Sequence, residues 1–365
     1  MRLLVISNGG HGLGLAHHIS SEGHTVNLAC SISGLGVGIV DVLPTGSAQT
    51  ISEIISSNLS DLTIVIDSHA GQGTDSARKL GYKVVGPTAW STALDSDPDY
   101  MANVIKLIGW DMHKVTEGVN MHIICWYNGV RYLTIYAALK YNRLMSSAAG
   151  PDIQFAGMVG DFHQPVPRVI TDILNPLEKV LRKVGHKGLF HVELMVKGED
   201  FSVKRISASI NDPMALMLYE NTPKRISQIM LDVLDETSKP YHPIERWVAG
   251  ALLSFPPFPY IDGGNDLILN NIQPINLKHI WLINAYRTNG SWHCTPATGK
   301  IGHVVTRGIT LKEAARRLYR TISNIKTPDM QYRDDIGRRV YTHLDSLYTA
   351  GWIKEEVRHT ERSIV

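Results

Sequence analysis

Between Arg2 and Asp97, short β-rich runs alternate with helical patterns, and that alternation leaves little choice of architecture. Arg2–Ser7, Thr25–Cys30, Thr63–Asp67 and Lys83–Val85 read as strands, with helical patterns through Leu15, Ala16 and Ile19, through Ile51–Asn58 and through Thr74–Leu80. Strands joined by helices pair in parallel and are covered on both faces, so residues 1–97 are predicted to form a Rossmann-like, doubly wound domain. Ligands of such sheets sit beyond the carboxyl ends of the strands, where Asn8, Asp67-Ser68-His69 and Gly86-Pro87-Thr88 fall. The first of these ends runs Asn8-Gly9-Gly10-His11-Gly12-Leu13-Gly14 into a helix, whose free N–H groups suit a phosphate. The spacing is not G-x-G-x-x-G, and no acidic residue closes Thr25–Cys30 to grip a ribose, which argues against a nicotinamide or flavin dinucleotide. A phosphate or sugar-phosphate loop and a purely structural tight turn both remain open. Gly86-Pro87-Thr88 can likewise serve as a strand-ending turn with Thr88 as a helix N-cap.

Asp97-Pro98-Asp99 reads as a linker into a central α+β domain spanning residues 98–242. Helix Tyr100–Ile108 stops at Gly109, and a hairpin follows, Met121–Tyr127 and Val130–Tyr136 around Asn128-Gly129. Lys140–Gly160, with Arg143, Gly150-Pro151-Asp152 and Gly157-Met158-Val159-Gly160, reads as one long loop, either contacting a ligand or partner or disordered. Val169–Val184 is an amphipathic helix interrupted by Pro176. Apolar residues then alternate on both sides of Lys197-Gly198-Glu199-Asp200, giving antiparallel strands Leu189–Val196 and Phe201–Ser209 and a turn at Asn211-Asp212-Pro213. Met214, Met217 and Leu218 form a core-facing helical stripe, and a helix covers Lys224–Glu236. Lys239-Pro240-Tyr241-His242-Pro243 marks a second boundary. The C-terminal α+β domain, residues 243–365, holds strands Trp247–Ser254, His279–Ala285 and His303–Thr306, helix Leu311–Ile325 and a terminal helix Val340–Ala350.

Composition excludes more than it selects. The chain has 365 residues, 44% hydrophobic and 19% charged, with a formal charge of +2 and no block of like charges, so a nucleic-acid arm is not indicated. Cys30, Cys125 and Cys294 lie far apart without metal-like spacing, which suits a reducing, cytoplasmic setting. No apolar run approaches the ~20 residues that span a membrane, and the start reads as a strand rather than a signal peptide. His11, His17-His18, His69, His163 and His191 show no H-E-x-x-H pattern. His191 and Glu193 share one strand face, as a base beside a carboxylate or as an ordinary polar pair. Ser207-Ala208-Ser209 lacks the glycines of a nucleophile elbow. The oligomeric state is not legible.

Several of these stretches together resemble phosphoribosylamine–glycine ligase, a purine-pathway enzyme of the ATP-grasp superfamily. Asn8-Gly9-Gly10 is similar to that family's N-terminal loop, and Gly86-Pro87-Thr88 with Leu94-Asp95 to its Gly-Pro-Thr segment. Arg143, Gly150-Pro151 and Gly157-Met158 fall where the family has a substrate loop, and Asp212-Pro213 matches the Asp-Pro after its metal-binding strand. Gly302–Thr306, Thr310–Ala315, Tyr332-Arg333, Asp335-Ile336-Gly337 and Arg339 resemble its C-terminal motifs. The resemblance implies a pre-ATP-grasp N-terminal domain, an ATP-grasp core and a phosphoribosyl or nucleotide substrate. That substrate would be held by Asn8, Gly9, Gly10, His11, Gly86, Pro87, Thr88, Arg143, Gly150, Pro151, Asp152, Gly157, Met158, Asp212 and Arg333.

The departures point to altered chemistry. The family's Arg-Glu-His is His11-Gly12-Leu13 here, and the lysine after Gly-Pro-Thr is Pro98. Trp110–Asn120 is too short for the multistranded ATP lid. The metal-binding Glu and Asn fall on Ser207 and Ser209, leaving Glu193, where other ATP-grasp enzymes have a metal-binding Glu, as the candidate metal ligand. Two magnesium ions and a triphosphate need several hard oxygen ligands. The family's ATP and magnesium are therefore expected to be poorly held, and ATP-dependent ligation lost or altered. A non-catalytic binding protein, or group transfer from a pre-activated substrate to a nucleotide or base, are the alternatives.

Overall fold

The computed structural model describes residues 1–46, 49–163, 165–210, 212–260, 266–295, 298–338 and 340–354. Its first unit is a five-stranded parallel sheet of β1 (Arg2–Ile6), β2 (Thr25–Cys30), β3 (Asp41–Pro44), β4 (Leu62–Val65) and β5 (Val84–Val85), in the order β3-β2-β1-β4-β5. The reversal between β1 and β4 opens a crevice at their carboxyl ends. Helices α1 (Gly12–Ser21), α2 (Ile51–Ser57), α3 (Gly71–Lys79), α4 (Ala89–Ser96) and α5 (Pro98–Ile108) complete this unit. The predicted β-α alternation is present, with β3 added.

A second sheet has eight strands in the order β10-β9-β6-β7-β8-β11-β16-β13. Its members are β6 (Val119–Tyr127), β7 (Tyr132–Arg143), β8 (Asp152–Asp161), β9 (Gly188–Lys197), β10 (Asp200–Ser207), β11 (Trp247–Ser254), β13 (Ile280–Leu282) and β16 (Lys300–Gly308). Every pairing in it is antiparallel, and β8 pairs with β11, so hydrogen bonding is continuous across residue 243. A small sheet, β12 (Leu267–Leu269), β15 (Ser291–Cys294) and β14 (Ala285–Thr288), stands apart. Helices α6 (Asn175–Lys183), α7 (Ala215–Glu220), α8 (Ile226–Leu234), α9 (Pro274–Leu277), α10 (Leu311–Asn324) and α11 (Tyr341–Thr349) cover the sheets. Among the described residues no helix is long and apolar enough to cross a membrane.

Three sequence expectations are corrected. Lys140–Gly160 is not a loop: β7 continues to Arg143, β8 starts at Asp152, and only residues 144–151 connect them. The glycines that suggested a loop are there for close packing. A Cβ at Gly157 would lie 2.3 Å from Ile336 Cδ1, and one at Gly160 would lie 2.7 Å from Met217 Sδ. Val169–Val184 divides into a π-helical stretch, Val169–Leu174, and α6, with Pro176 in its first turn where the missing N–H costs nothing. His279–Ala285 is split between β13 and the start of β14, two different sheets.

The two faces of the eight-stranded sheet differ in chemistry. Strand registry places Met121, Ile123 and Cys125 with Val192, Leu194 and Val196 on one face. Asn120, His122 and Trp126 with Glu193 and His191 share the other, and there they are joined by Ser207, Ala138, Gly160, His303 and Trp281.

Candidate functional site

The polar face meets the carboxyl ends of the parallel sheet, and the glycine loop makes the junction. Ser7 Oγ accepts the Gly12 N–H at 3.0 Å, starting α1, and the Asn8 N–H donates to both Asp67 carboxylate oxygens at 3.1 Å. Gly10 has φ +76°, and a Cβ there would sit 2.7 Å from the Ile283 carbonyl oxygen. At Gly14 it would meet the Leu282 backbone at 3.0 Å. Glycine is required because α1 and its loop press against the end of β13.

Behind that contact lies a small cleft, partly open to solvent, lined by His11, Asp212, Tyr219, Trp281 and His303 among others. Burial, aided by Lys300, lowers His11 to about 4, and burial with His11 and Lys300 lowers His303 to about 3, so both rings are neutral near pH 7. Three buried atoms around this cleft, Tyr219 Oη, Trp281 Nε1 and His303 Nδ1, have no hydrogen-bond partner among the described residues. These residues are only 6%, 3% and 5% exposed. An unmet buried polar atom costs about 1–3 kcal/mol, so three on one cleft point to a bound polar molecule.

A hydrogen-bonded chain leads from the cleft into the sheet. Asp212, whose side chain is 17% exposed, accepts from His191 Nδ1 at 2.6 Å, and His191 Nε2 lies 2.7 Å from His122 Nδ1. Burial works to raise the Asp212 carboxyl, but His191, the Met214 amide and Lys140 outweigh it and hold the group below its ordinary range. Burial, then His191 and Lys140, hold His122 well below its ordinary value. On the same face the Asn120 side-chain amide donates to Glu193 at 2.8 Å. Asp95, carried in by α4, sits beside Ser207 and 4.0 Å from Arg205, and its carboxyl is raised mainly by burial.

The predicted substrate residues separate into two groups. Asn8, Gly9, Gly10, His11 and Asp212 come together around the cleft or its loop. Gly86, Pro87 and Thr88 hold the fold: Arg78 donates to the Gly86 and Pro87 carbonyls at 2.7 and 3.0 Å, and Thr88 forms a capping box with Ser91 on α4. Arg143 is exposed and donates to the Gly150 carbonyl at 2.9 Å, so Arg143, Gly150, Pro151 and Asp152 belong to the short 144–151 turn and its flanks. Gly157 and Met158 are interior packing. Arg333 is 4% exposed, paired with Asp335 at 2.5 Å and stacked over Tyr141 at 4.6 Å. It ties the C-terminal motif to the 144–151 turn, where Ser147 N–H also donates to Asp335 at 2.8 Å. Arg339 and Asn211 lie outside the described residues.

His122, Lys140, Asn120, Tyr219 and Trp281 were not singled out by sequence reasoning, and Asp95 and His303 entered it only within the resembling segments Leu94-Asp95 and Gly302–Thr306. For Asn120 and His122 the only signal was a polar residue at alternate positions of an otherwise apolar strand, Asn120-Met121-His122.

A triphosphate with two magnesium ions does not fit this donor set. Among the described residues no group of three or more His, Cys, Asp or Glu side chains could hold a metal ion. Glu193 is engaged by Asn120 and Asp212 by His191, and Ser207 is a poor substitute for a carboxylate. Residues 109–118, where a lid would be inserted, contain neither helix nor strand. They run along the edge strand instead: Val203 N–H donates to the Asp111 carbonyl, and Lys204 Nζ donates to the Met112 carbonyl at 2.8 Å.

No family model matches the sequence. Among solved structures, the chain is similar to phosphoribosylamine–glycine ligase from Thermotoga maritima, with TM-score 0.71 and 14% identity over 92% of this chain and 100% of that one. It is also similar to the biotin carboxylase domain of a single-chain bacterial carboxylase, with TM-score 0.63 and 12% identity over 90% of each chain. A protein described as glycinamide-RNase-transformylase T from Mycobacterium tuberculosis gives TM-score 0.57 and 11% identity over 89% of this chain and 100% of that one. The chain has an ATP-grasp fold. At these identities the likeness is one of fold, and the polar cleft described above carries the chemical reading.

Proposed function

We propose that this protein is a divergent carbon–nitrogen-ligase-like member of the ATP-grasp fold. In this reading it binds a phosphoribosyl amine or related nucleotide in the cleft beside His11 and Asp212, with ATP-dependent ligation lost or altered. One observation carries the reading. The carboxylates Glu193 and Asp212 are already held by Asn120 and His191, while Tyr219, Trp281 and His303 at the cleft keep polar atoms without partners among the described residues. A site so arranged is starved of metal ligands yet ready for a small polar molecule. The two neighbours named for steps on glycine or glycinamide compounds, the Thermotoga maritima ligase and the Mycobacterium tuberculosis protein, support that substrate class.

A second reading, group transfer from a pre-activated substrate, draws on the Asp212–His191–His122 chain, which orders a base without needing ATP. Thermal shift and ATPase assays test the proposal. Ribose 5-phosphate or glycinamide ribonucleotide at 100 times its Kd should stabilise the fold by ~2.7 kcal/mol, and ATP with magnesium should neither stabilise it nor turn over. Tight magnesium-dependent ATP binding overturns the proposal. Rescue of a strain lacking the purine ligase distinguishes a surviving enzyme from a binding protein.

A further inference from the structure

With His191 and His122 both neutral, the hydrogen bonds on the polar face set which atoms donate and which accept. Asp212 is a carboxylate and can only accept, so His191 Nδ1 carries the proton in their 2.6 Å bond. In a neutral ring His191 Nε2 is then a lone pair, and His122 Nδ1, 2.7 Å away, must donate to it. That leaves His122 Nε2 unprotonated. This atom has no partner among the described residues, on a side chain that is 0% exposed. Asn120, two residues earlier on the same strand face, repeats the logic. Its amide nitrogen donates to Glu193, so its Oδ1, also a buried atom without a partner among the described residues, is left as an acceptor. Two carboxylates, one acting directly and one through a ring, have thus turned both neighbours into acceptors. Lys140 adds positive charge near His122, which disfavours an ammonium ion as the missing donor.

We propose that Asn120 Oδ1 and His122 Nε2 together read an uncharged amino group, an amine or amide –NH2 of the substrate, with His122 held in its accepting tautomer by Asp212 through His191. The inference rests on the proposed reading of this face as a substrate site and names the group it recognises. His122 and Asn120 are binding residues in this scheme, and His191 and Asp212 are positioning residues.

Nitrogen NMR of the full-length protein labelled on histidine reads the tautomers directly, at about pH 8 where an ordinary histidine is neutral. His122 should show a protonated Nδ1 and a bare Nε2. Asp212→Asn should reverse the chain, because its amide can donate to His191 Nδ1 and so place a proton on His122 Nε2. A protonated Nε2 in the unmodified protein, or a folded Asp212→Asn variant with an unchanged tautomer, overturns the inference. Glycinamide ribonucleotide, and acetamide as a bare amide probe, should each shift the Nε2 resonance, whereas ribose 5-phosphate should not. His122→Phe should weaken glycinamide ribonucleotide at least tenfold, by about 1.4 kcal/mol, relative to ribose 5-phosphate. If Asp212→Asn fails to fold, these ligand shifts decide: no movement of Nε2 with either amide-bearing probe overturns the inference. Failure of ribose 5-phosphate to bind while acetamide moves Nε2 would count against the phosphoribosyl reading and support this one.

Discussion

The two faces of the eight-stranded sheet are built from the same strands, yet one is closed and the other unfinished. On the apolar face, Ile123, Val169, Trp352 and Ile353 surround one small gap, and Met121, Leu344 and Leu347 another. Trp352 is 1% exposed, packs edge-on against Phe201 at 5.5 Å and donates its indole N–H to the Gly198 carbonyl at 3.0 Å. On the polar face, Asn120 Oδ1, His122 Nε2, Trp126 Nε1, Trp281 Nε1 and His303 Nδ1 are buried atoms without a partner among the described residues. The first face is optimised for folding. The second keeps a standing cost that a bound molecule would recover, which is the energetic mark of a site.

If that contrast is right, substitutions on the two faces should behave differently. Trp352→Ala on the apolar face should cost about 3–5 kcal/mol, read from denaturant unfolding, because it leaves a large cavity and unpairs the Gly198 carbonyl. Arg333→Met should cost a similar ~3–5 kcal/mol by stranding Asp335 in a buried setting, without any specific change in ligand affinity. Gly157→Ala should lose about 1–3 kcal/mol, since the new methyl group collides with Ile336 and the Gly250 carbonyl, and the loss should again be one of stability alone.

The histidines give a pH test. His303 is lowered from 6.5 to about 3 in the folded protein, so the unfolded chain takes up the proton first as pH falls. Its stabilising contribution is complete above 6.5, declines as pH drops toward 3, and should amount to on the order of 1–3 kcal/mol over that window. His303→Gln should flatten this slope in urea titrations. The smallest effect is expected at Tyr219→Phe. Deleting an unpartnered hydroxyl should leave stability within about 0.5–1 kcal/mol of the parent, or slightly raise it, while weakening cleft ligands. A large destabilisation there would mean the polar face is a core like the other.

Much of the fold could be read directly. Four of the five strands of the parallel sheet, the Asn128-Gly129 hairpin and the ribbon β9–β10 follow from local alternation and turn chemistry, while β3 does not. Met214, Met217 and Leu218 do lie buried on and beside α7. The errors have one cause. Gly157 and Gly160 were read as loop formers, whereas the chain uses them so that Ile336, Tyr136 and Met217 can approach β8. A glycine needed for space looks the same in sequence as a glycine needed for flexibility. Arg333 was misread in a similar way. Its neighbour Asp335 was visible two residues on, but that the pair would be buried under Tyr141 was not.

The sequence by itself determined many of the strands and helices, and that the first unit must be a parallel sheet, because those outcomes depend on periodicities of a few residues; β3 and the strand ends within Lys140–Gly160 were decided by packing. Only the tertiary structure decided which polar atoms are left over. His122, His191 and Asp212 are separated by 69 and 21 positions and meet through the register of β6 on β9 and the turn after β10. A hydrogen bond depends on tenths of an ångström between distant segments, and no local pattern of residues encodes that.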